Sequence, residues 1–272
     1  MGGGPQSFGD ETMKSKFGDN VTVAVEGHVA VITIDRPPNN HVSVDLMRHL
    51  ADALGAVDGE RALRASVLQA EGKNFCAGAD FVTPGDAVAS GMGGISELYV
   101  QAVRLFSIEK PIVAAVQGAA VGAGLGLALV ADFRVASPDA RFVSNFVKLG
   151  FHPGFGLTYT LPRLIGPQKA ALMCLTGRRV KAEEGLPWGL VDEVVPLEEL
   201  RAGALRLATE IAENAPLAII ATRKTMRGDL AAAVRAQTAH EHEEQTILRA
   251  TDDFQEGIRS VTERRVGNFT GT

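Results

Sequence analysis

An apolar strand that runs into closely spaced glycines and then into an apolar helix leaves a chain few options, and PIVAAVQGAAVGAGLGLALVADF, Pro111 to Phe133, is such a stretch. Glycine lets the backbone turn sharply and lets a ligand approach it, while the first turn of a helix carries amide donors without intrahelical partners. Together they aim free N–H groups at phosphate or at a developing oxyanion. Both nucleotide motifs fail letter by letter. A P-loop needs Lys and then Ser or Thr after its last glycine, and Gly126 is followed by Leu127 and Ala128. The G-x-G-x-x-G spacing counted from Gly122 or Gly124 reaches Leu127 or Leu129. The bland reading is that these small residues only let a helix pack close to a sheet.

A second stretch favours the functional reading. EGKNFCAGADF, Glu71 to Phe81, repeats the arrangement: an apolar strand over Ala65 to Gln69 and then a tight turn at Ala77, Gly78 and Ala79. Two such turns facing each other would converge a pair of N–H donors on one point, as in an oxyanion hole, whose natural guest is a thioester or ester carbonyl.

Alternation gives Val21 to Val25 and Val29 to Ile34 as a hairpin around Gly27, and helical spacing covers Ser43 to Val57. Further strands fall at Ile112 to Val116 and Phe133 to Ala136, so the fold class is α/β with a mostly parallel, wound sheet. From Leu197 onward the pattern turns helical, with one long segment from Asp229 to Arg249. The chain divides at 1–18, a polar, glycine-rich lead expected to be disordered; 19–196, the core; and 197–272, a C-terminal helical region. Apolar stripes on the last helices must be covered by the core or by another subunit. The run HEHEE, His240 to Glu244, reads as a solvated helix face rather than a metal site, since its H-x-H spacing puts the imidazoles about 200° apart.

A net charge of −5 argues against a general nucleic-acid or membrane-surface binder, and no uninterrupted apolar run reaches membrane-spanning length. The two cysteines, Cys76 and Cys174, make neither a disulfide framework nor a metal site, and a cytoplasmic, reducing compartment fits. Cys76 adjoins the first turn, but FCAGAD supplies no neighbouring base, so a structural thiol is the simpler reading.

The two turns, together with IDRPPNN (Ile34 to Asn40), LGFHPGFGLTYTLPRLIG (Leu149 to Gly166), AEEGLPWGLVDEVVP (Ala182 to Pro196) and FQEGIRSVTERRVGNF from Phe254, resemble the crotonase family of enoyl-CoA hydratases and isomerases over Val21 to Phe269. The resemblance implies a ββα spiral core, a C-terminal helical region that builds homotrimers or hexamers, and an acyl-CoA or enoyl-CoA substrate, with coenzyme A as part of the substrate and no permanently bound cofactor or metal. It makes the backbone amides of Ala79 and Ala123 the oxyanion donors, and it places Arg36, Ala77 and Asp80 along the CoA. It also exposes a departure. The two glutamates that hold water in the hydratases would stand at Gly126 and Phe146, and neither residue moves a proton. Three groups stand near enough to be weighed as replacements: His152, whose imidazole titrates near neutrality, Glu97 and Asp80. Each also has a structural reading, as a bonded loop residue, a solvated helix face and a helix cap. Three functions stay open: an enoyl-CoA hydratase/isomerase-like lyase, a crotonase-fold enzyme of other chemistry such as a thioester or C–C bond hydrolase, and a CoA-binding protein without hydratase activity.

Overall fold

The computed structural model describes residues 15–79 and 92–272, with 92–96 as backbone only. Strands β1 (Lys16–Phe17), β2 (Val21–Glu26) and β3 (Val29–Ile34) form an antiparallel meander, turning at Gly27 with φ +61°. Helix α1 (Val44–Gly59) then carries the chain to β4 (Ala65–Ala70), which pairs parallel with β3. Ser43 starts α1 by accepting the Leu46 amide, which satisfies one of its orphan donors. Helix α2 (Met92–Phe106) leads to β5 (Ile112–Val116), where every residue is buried, as expected of a strand covered on both faces.

The chain next makes β6 (Ala119–Val121), α3 (Ala123–Val130), β7 (Phe133–Ala136) and β8 (Arg141–Val143). Helix α4 (Leu157–Thr176) follows, kinked at Gly166 ahead of Pro167, and then come β9 (Arg179–Lys181), the short α5 (Ala182–Gly185) and β10 (Glu193–Val194). The main sheet runs β1-β2-β3-β4-β5-β7-β10 and is parallel from β3 onward, while β6, β8 and β9 form a second, small sheet. The α/β, mostly parallel reading therefore holds. The small sheet was not anticipated, because strands of three residues show no periodicity.

Alternate residues of the main sheet feed two cores. Ala30, Ile32, Leu68, Ala114 and Val116 face α1, α2 and α3, whereas Val29, Val67, Val113, Ala115 and Val135 face helix α6 (Leu200–Ala212) through Leu200, Ala204 and Ala208. Helix α6 thus closes the second face of the sheet although it lies beyond Pro196. Helix α7 (Pro216–Arg227) is tied to the core by Arg223, whose Nε donates to both Asp132 oxygens at 3.0 and 2.9 Å. Helices α8 (Leu230–Leu248) and α9 (Asp252–Glu263) finish the fold. No helix among the described residues is long and apolar enough to cross a membrane.

Candidate active site

The two glycine turns are bound to each other. The Cys76 amide donates to Ala119 O at 2.9 Å and Cys76 O accepts from Val121 N at 3.1 Å, so the first turn runs beside β6 as an added parallel strand. The contact is close enough to demand glycine: a Cβ on Gly124 would stand 2.1 Å from Cys76 O, and one on Gly78, whose φ is +93°, would stand 2.7 Å from Val121 O. The PPNN segment straps the first turn from outside. Asn40 Nδ2 donates to Glu71 O and Asn74 O, Ala77 N donates to Asn39 O, and Val42 N donates to Gly78 O. Gly122, at φ +55°, anchors the second turn by donating to Val143 O and starts α3 at Ala123.

Both turns open on one cavity of about 500 Å³, and Ala77, Ala79 and Ala123 all line it. Neither the Ala79 nor the Ala123 amide meets an acceptor among the described residues. The rest of the lining is largely aromatic and aliphatic: Phe146, Phe151 and Phe155 from the loop between β8 and α4, Leu98 and Tyr99 from α2, and Ile258 from α9. Helix α9 reaches this position through Gly257, which lies so close to Leu149 that a Cβ would stand 2.3 Å from its carbonyl carbon.

At Gly126 a Cβ would stand 2.4 Å from the Phe155 ring, so that ring fills the space a side chain there would need. Phe155 is fully buried with φ +65°, a conformation that favours glycine and is held here by packing. Phe146 lies in the wall, edge-on to Phe151 at 5.4 Å between ring centres. Among the described residues no carboxylate lines the cavity.

Two of the groups weighed for proton transfer lie elsewhere. His152 turns its ring toward His240 on α8, 6.1 Å between centres, and its Nδ1 donates to Pro153 O at 2.7 Å; it is not part of the cavity wall. Glu97 is exposed on α2 and accepts from Gln101, while its neighbours Leu98 and Tyr99 face the cavity. Asp80 lies outside the described residues. Arg36 braces the strap, its guanidinium donating to His41 O at 2.7 Å.

Sequence reasoning missed four wall residues. His41 lines the cavity and its Nδ1 donates to Gly78 O at 3.2 Å, which leaves the Nε2 lone pair free of that bond. Tyr99 donates to Gln245 Oε1 at 2.8 Å, and burial raises its phenol above the usual value. Asn145 and Phe155 complete the set. Only His41 left a trace in the sequence, as an imidazole directly after the PPNN segment.

Burial pushes the Cys76 thiol up to about 12, so it stays protonated, in keeping with a structural thiol. The HEHEE run departs from a solvated face: Glu241 is fully buried. Its carboxylate accepts from Gly156 N at 2.7 Å, Thr158 N at 3.0 Å and Thr158 Oγ1, closing the N-terminal end of α4 from a neighbouring helix. Burial raises this carboxyl to about 7. Among the described residues no cluster of His, Cys, Asp and Glu could hold a metal ion.

Residues 24–272 match the family described as enoyl-CoA hydratase/isomerase. A "Probable enoyl-CoA hydratase" of Rhodobacter capsulatus is 36% identical over 248 residues, covering 89% of this chain and 95% of that protein. The "1,2-epoxyphenylacetyl-CoA isomerase" of Escherichia coli K12 is 32% identical, covering 91% and 97%. Among solved structures, an enoyl-CoA hydratase/isomerase from Pseudoalteromonas atlantica T6c superposes with a TM-score of 0.81 at 30% identity, over 93% of this chain and all of that one.

Proposed function

The chain belongs to the enoyl-CoA hydratase/isomerase family, the crotonases, and on that premise we propose that it binds an acyl-CoA or enoyl-CoA thioester in the cavity and holds the thioester oxygen on the backbone amides of Ala79 and Ala123. As charge moves from the acyl chain onto that oxygen, two fixed N–H groups meet it without reorganising. The observation that carries the reading is the docking of the two turns, which brings to one cavity two amides that meet no acceptor among the described residues. Coenzyme A enters as part of the substrate.

Under this reading the usual pair of glutamates is replaced by Gly126 and Phe146, so water is not held between two carboxylates. One observation favours a second reading, a crotonase-fold hydrolase: the wall holds an imidazole, His41, and no carboxylate among the described residues. There His41 Nε2 would take a proton from water as it attacks the thioester carbonyl, and return it to the departing CoA thiolate. The exposed apolar residues of the C-terminal helices, Leu217, Met226 and Ile247, support assembly into a trimer or a hexamer, which solution scattering tests directly.

The deciding experiment mixes purified protein with 2-enoyl-CoA thioesters of graded length. It follows the conjugated thioester absorbance for hydration and free thiol for hydrolysis. Loss of absorbance without thiol supports the lyase, release of thiol supports the hydrolase, and a red-shifted bound spectrum without turnover supports carbonyl polarisation in a binding protein. A protein that binds no CoA thioester overturns the reading.

A further inference from the structure

Asn145 stands immediately before the short 3-10 turn Phe146–Leu149, at its N-cap. Asparagine is favoured there because its side chain accepts an amide of the first turn. Asn145 makes no such bond. Its half-buried carboxamide faces the cavity, with Oδ1 3.3 Å from where a Cβ of Gly122 would stand. It hydrogen-bonds to no other described residue. The other polar side chains of the wall each make at least one hydrogen bond: His41 with Gly78 O through Nδ1 alone, Asn39 with Asn74, Tyr99 and Gln245 with each other, and Thr262 with its own helix.

The tip of the Phe146 ring comes to the same spot, 3.6 and 3.8 Å from that Cβ position. Amide and ring therefore share one patch beside Gly122, the residue before the proposed donor Ala123. Phe151, Phe155 and Leu149 line the same cavity, where Tyr99, Gln245 and Thr262 are the polar side chains already bonded to one another or to their own helix. Half-buried and open to the cavity, the Asn145 carboxamide is free to exchange water for a ligand group.

We propose that Asn145 selects the acyl group, by hydrogen-bonding an oxygen carried on the first carbons beyond the thioester, as in a 3-oxo or 3-hydroxy acyl-CoA. This rests on the reading of the cavity as an acyl-CoA site. The thioester oxygen already has two donors under that reading, so the amide is left for the chain. A carboxamide offers a donor to a ketone and an acceptor to a hydroxyl by turning about one bond, and it transfers no proton. Asn145 is thus a specificity residue rather than a replacement for the absent glutamates.

The test compares dissociation constants of saturated, 3-oxo and 3-hydroxy acyl-CoA esters of one chain length, by calorimetry, for wild type, Asn145→Leu and Asn145→Asp. Wild type should prefer the oxygenated esters by about 3- to 10-fold, the worth of one hydrogen bond. Asn145→Leu should bring the three constants to within about twofold of one another, the preference being read from their ratio and not from any one of them. Asn145→Asp, ionised and unable to donate, should keep the 3-hydroxy preference and lose the 3-oxo one. A wild type without preference, or a preference kept in Asn145→Leu, overturns the proposal. So does an equal loss for all three esters in Asn145→Leu, which would put the amide on the thioester oxygen. Failure of all three esters to bind wild type overturns the acyl-CoA reading itself. Wild-type binding thus tests the acyl-CoA reading, and the ratio of the constants across the variants tests Asn145, so the two failures are distinguishable.

Discussion

The two walls of the cavity are built from different parts of the chain. On one side the chemistry sits in backbone: Ala77 to Ala79 and Gly122 to Ala123 present amides whose direction is fixed by the pairing of residue 76 with β6 and by glycines that tolerate no Cβ. In the rest of the lining it sits in side chains, and there Asn145 and Phe146 lie against Gly122 and Phe155 against Gly126, none of them able to move a proton. A backbone donor survives almost any substitution of its own side chain, whereas a carboxylate is lost in one step. On the proposed reading, a site made this way would keep carbonyl activation while its reaction changes.

The sharpest way to break that contrast is to delete a backbone donor. Ala123 is the first residue of α3, a position where proline fits the helix and removes only an N–H that has no helical partner. Ala123→Pro should lower turnover of the true substrate by roughly 10²–10³, the usual cost of losing one oxyanion donor, with little change in melting temperature. An active Ala123→Pro would remove this amide from the mechanism.

Next in size is the attempt to rebuild the side-chain wall. Gly126→Glu alone should destabilise the fold by about 1 to 3 kcal/mol and give no hydration, because the Phe155 ring already occupies the space. Adding Phe155→Gly empties that space and suits a residue whose φ is +65°. The double variant should hydrate enoyl-CoA faster than wild type by about 10², the lower end of what a positioned acid or base supplies, while melting below wild type because a fully buried ring is lost. A folded but inactive double variant would show that Phe155 does more than fill the gap.

These two positions also mark the boundary of what the sequence discloses. The turns at Ala77–Ala79 and Gly122–Ala123 are legible because glycine spacing and flanking apolar strands are local signals. So is α1, whose cap at Ser43 and periodicity to Val57 lie within one stretch. Phe155 is not legible: its ring meets Gly126 across the fold, and a positive φ at a phenylalanine has no local signature. The same is true of Tyr99 and Asn145, drawn from two further segments, while His41 left only the trace of an imidazole after the PPNN segment. Glu241 misled for the complementary reason, since charge density along HEHEE gives no sign that one carboxylate turns inward onto the α4 amides.

Glu241 makes a prediction of middle size about the frame of the side-chain wall. Its carboxyl ionises at about 7 when folded, against an ordinary 4.5, so between those values the folded protein holds the extra proton. That contribution to stability is full below pH 4.5 and is lost as pH rises through about 7. Glu241→Gln should abolish this slope in urea unfolding measured from pH 5 to 8. It should also cost about 1 to 3 kcal/mol, because one end of the amide would turn N–H groups toward the donors at Gly156 or Thr158. A parallel pair of stability curves would show that Glu241 stays ionised across the range.

The smallest effect belongs to His152, the imidazole nearest the Pro153–Gly154 turn in sequence. Its ring points to His240 and its Nδ1 is held by Pro153 O, while only its backbone carbonyl touches the cavity frame, through Gln245 Nε2 at 2.8 Å. His152→Ala preserves that carbonyl, so turnover should change by less than about threefold, the worth of a weak hydrogen bond. His41→Ala, which removes an imidazole from the wall itself, should change it more. The order of the two rates therefore decides between them: a larger loss at His152 would mean that its ring swings into the cavity when substrate binds, and that the side-chain wall recruits its acid or base from outside.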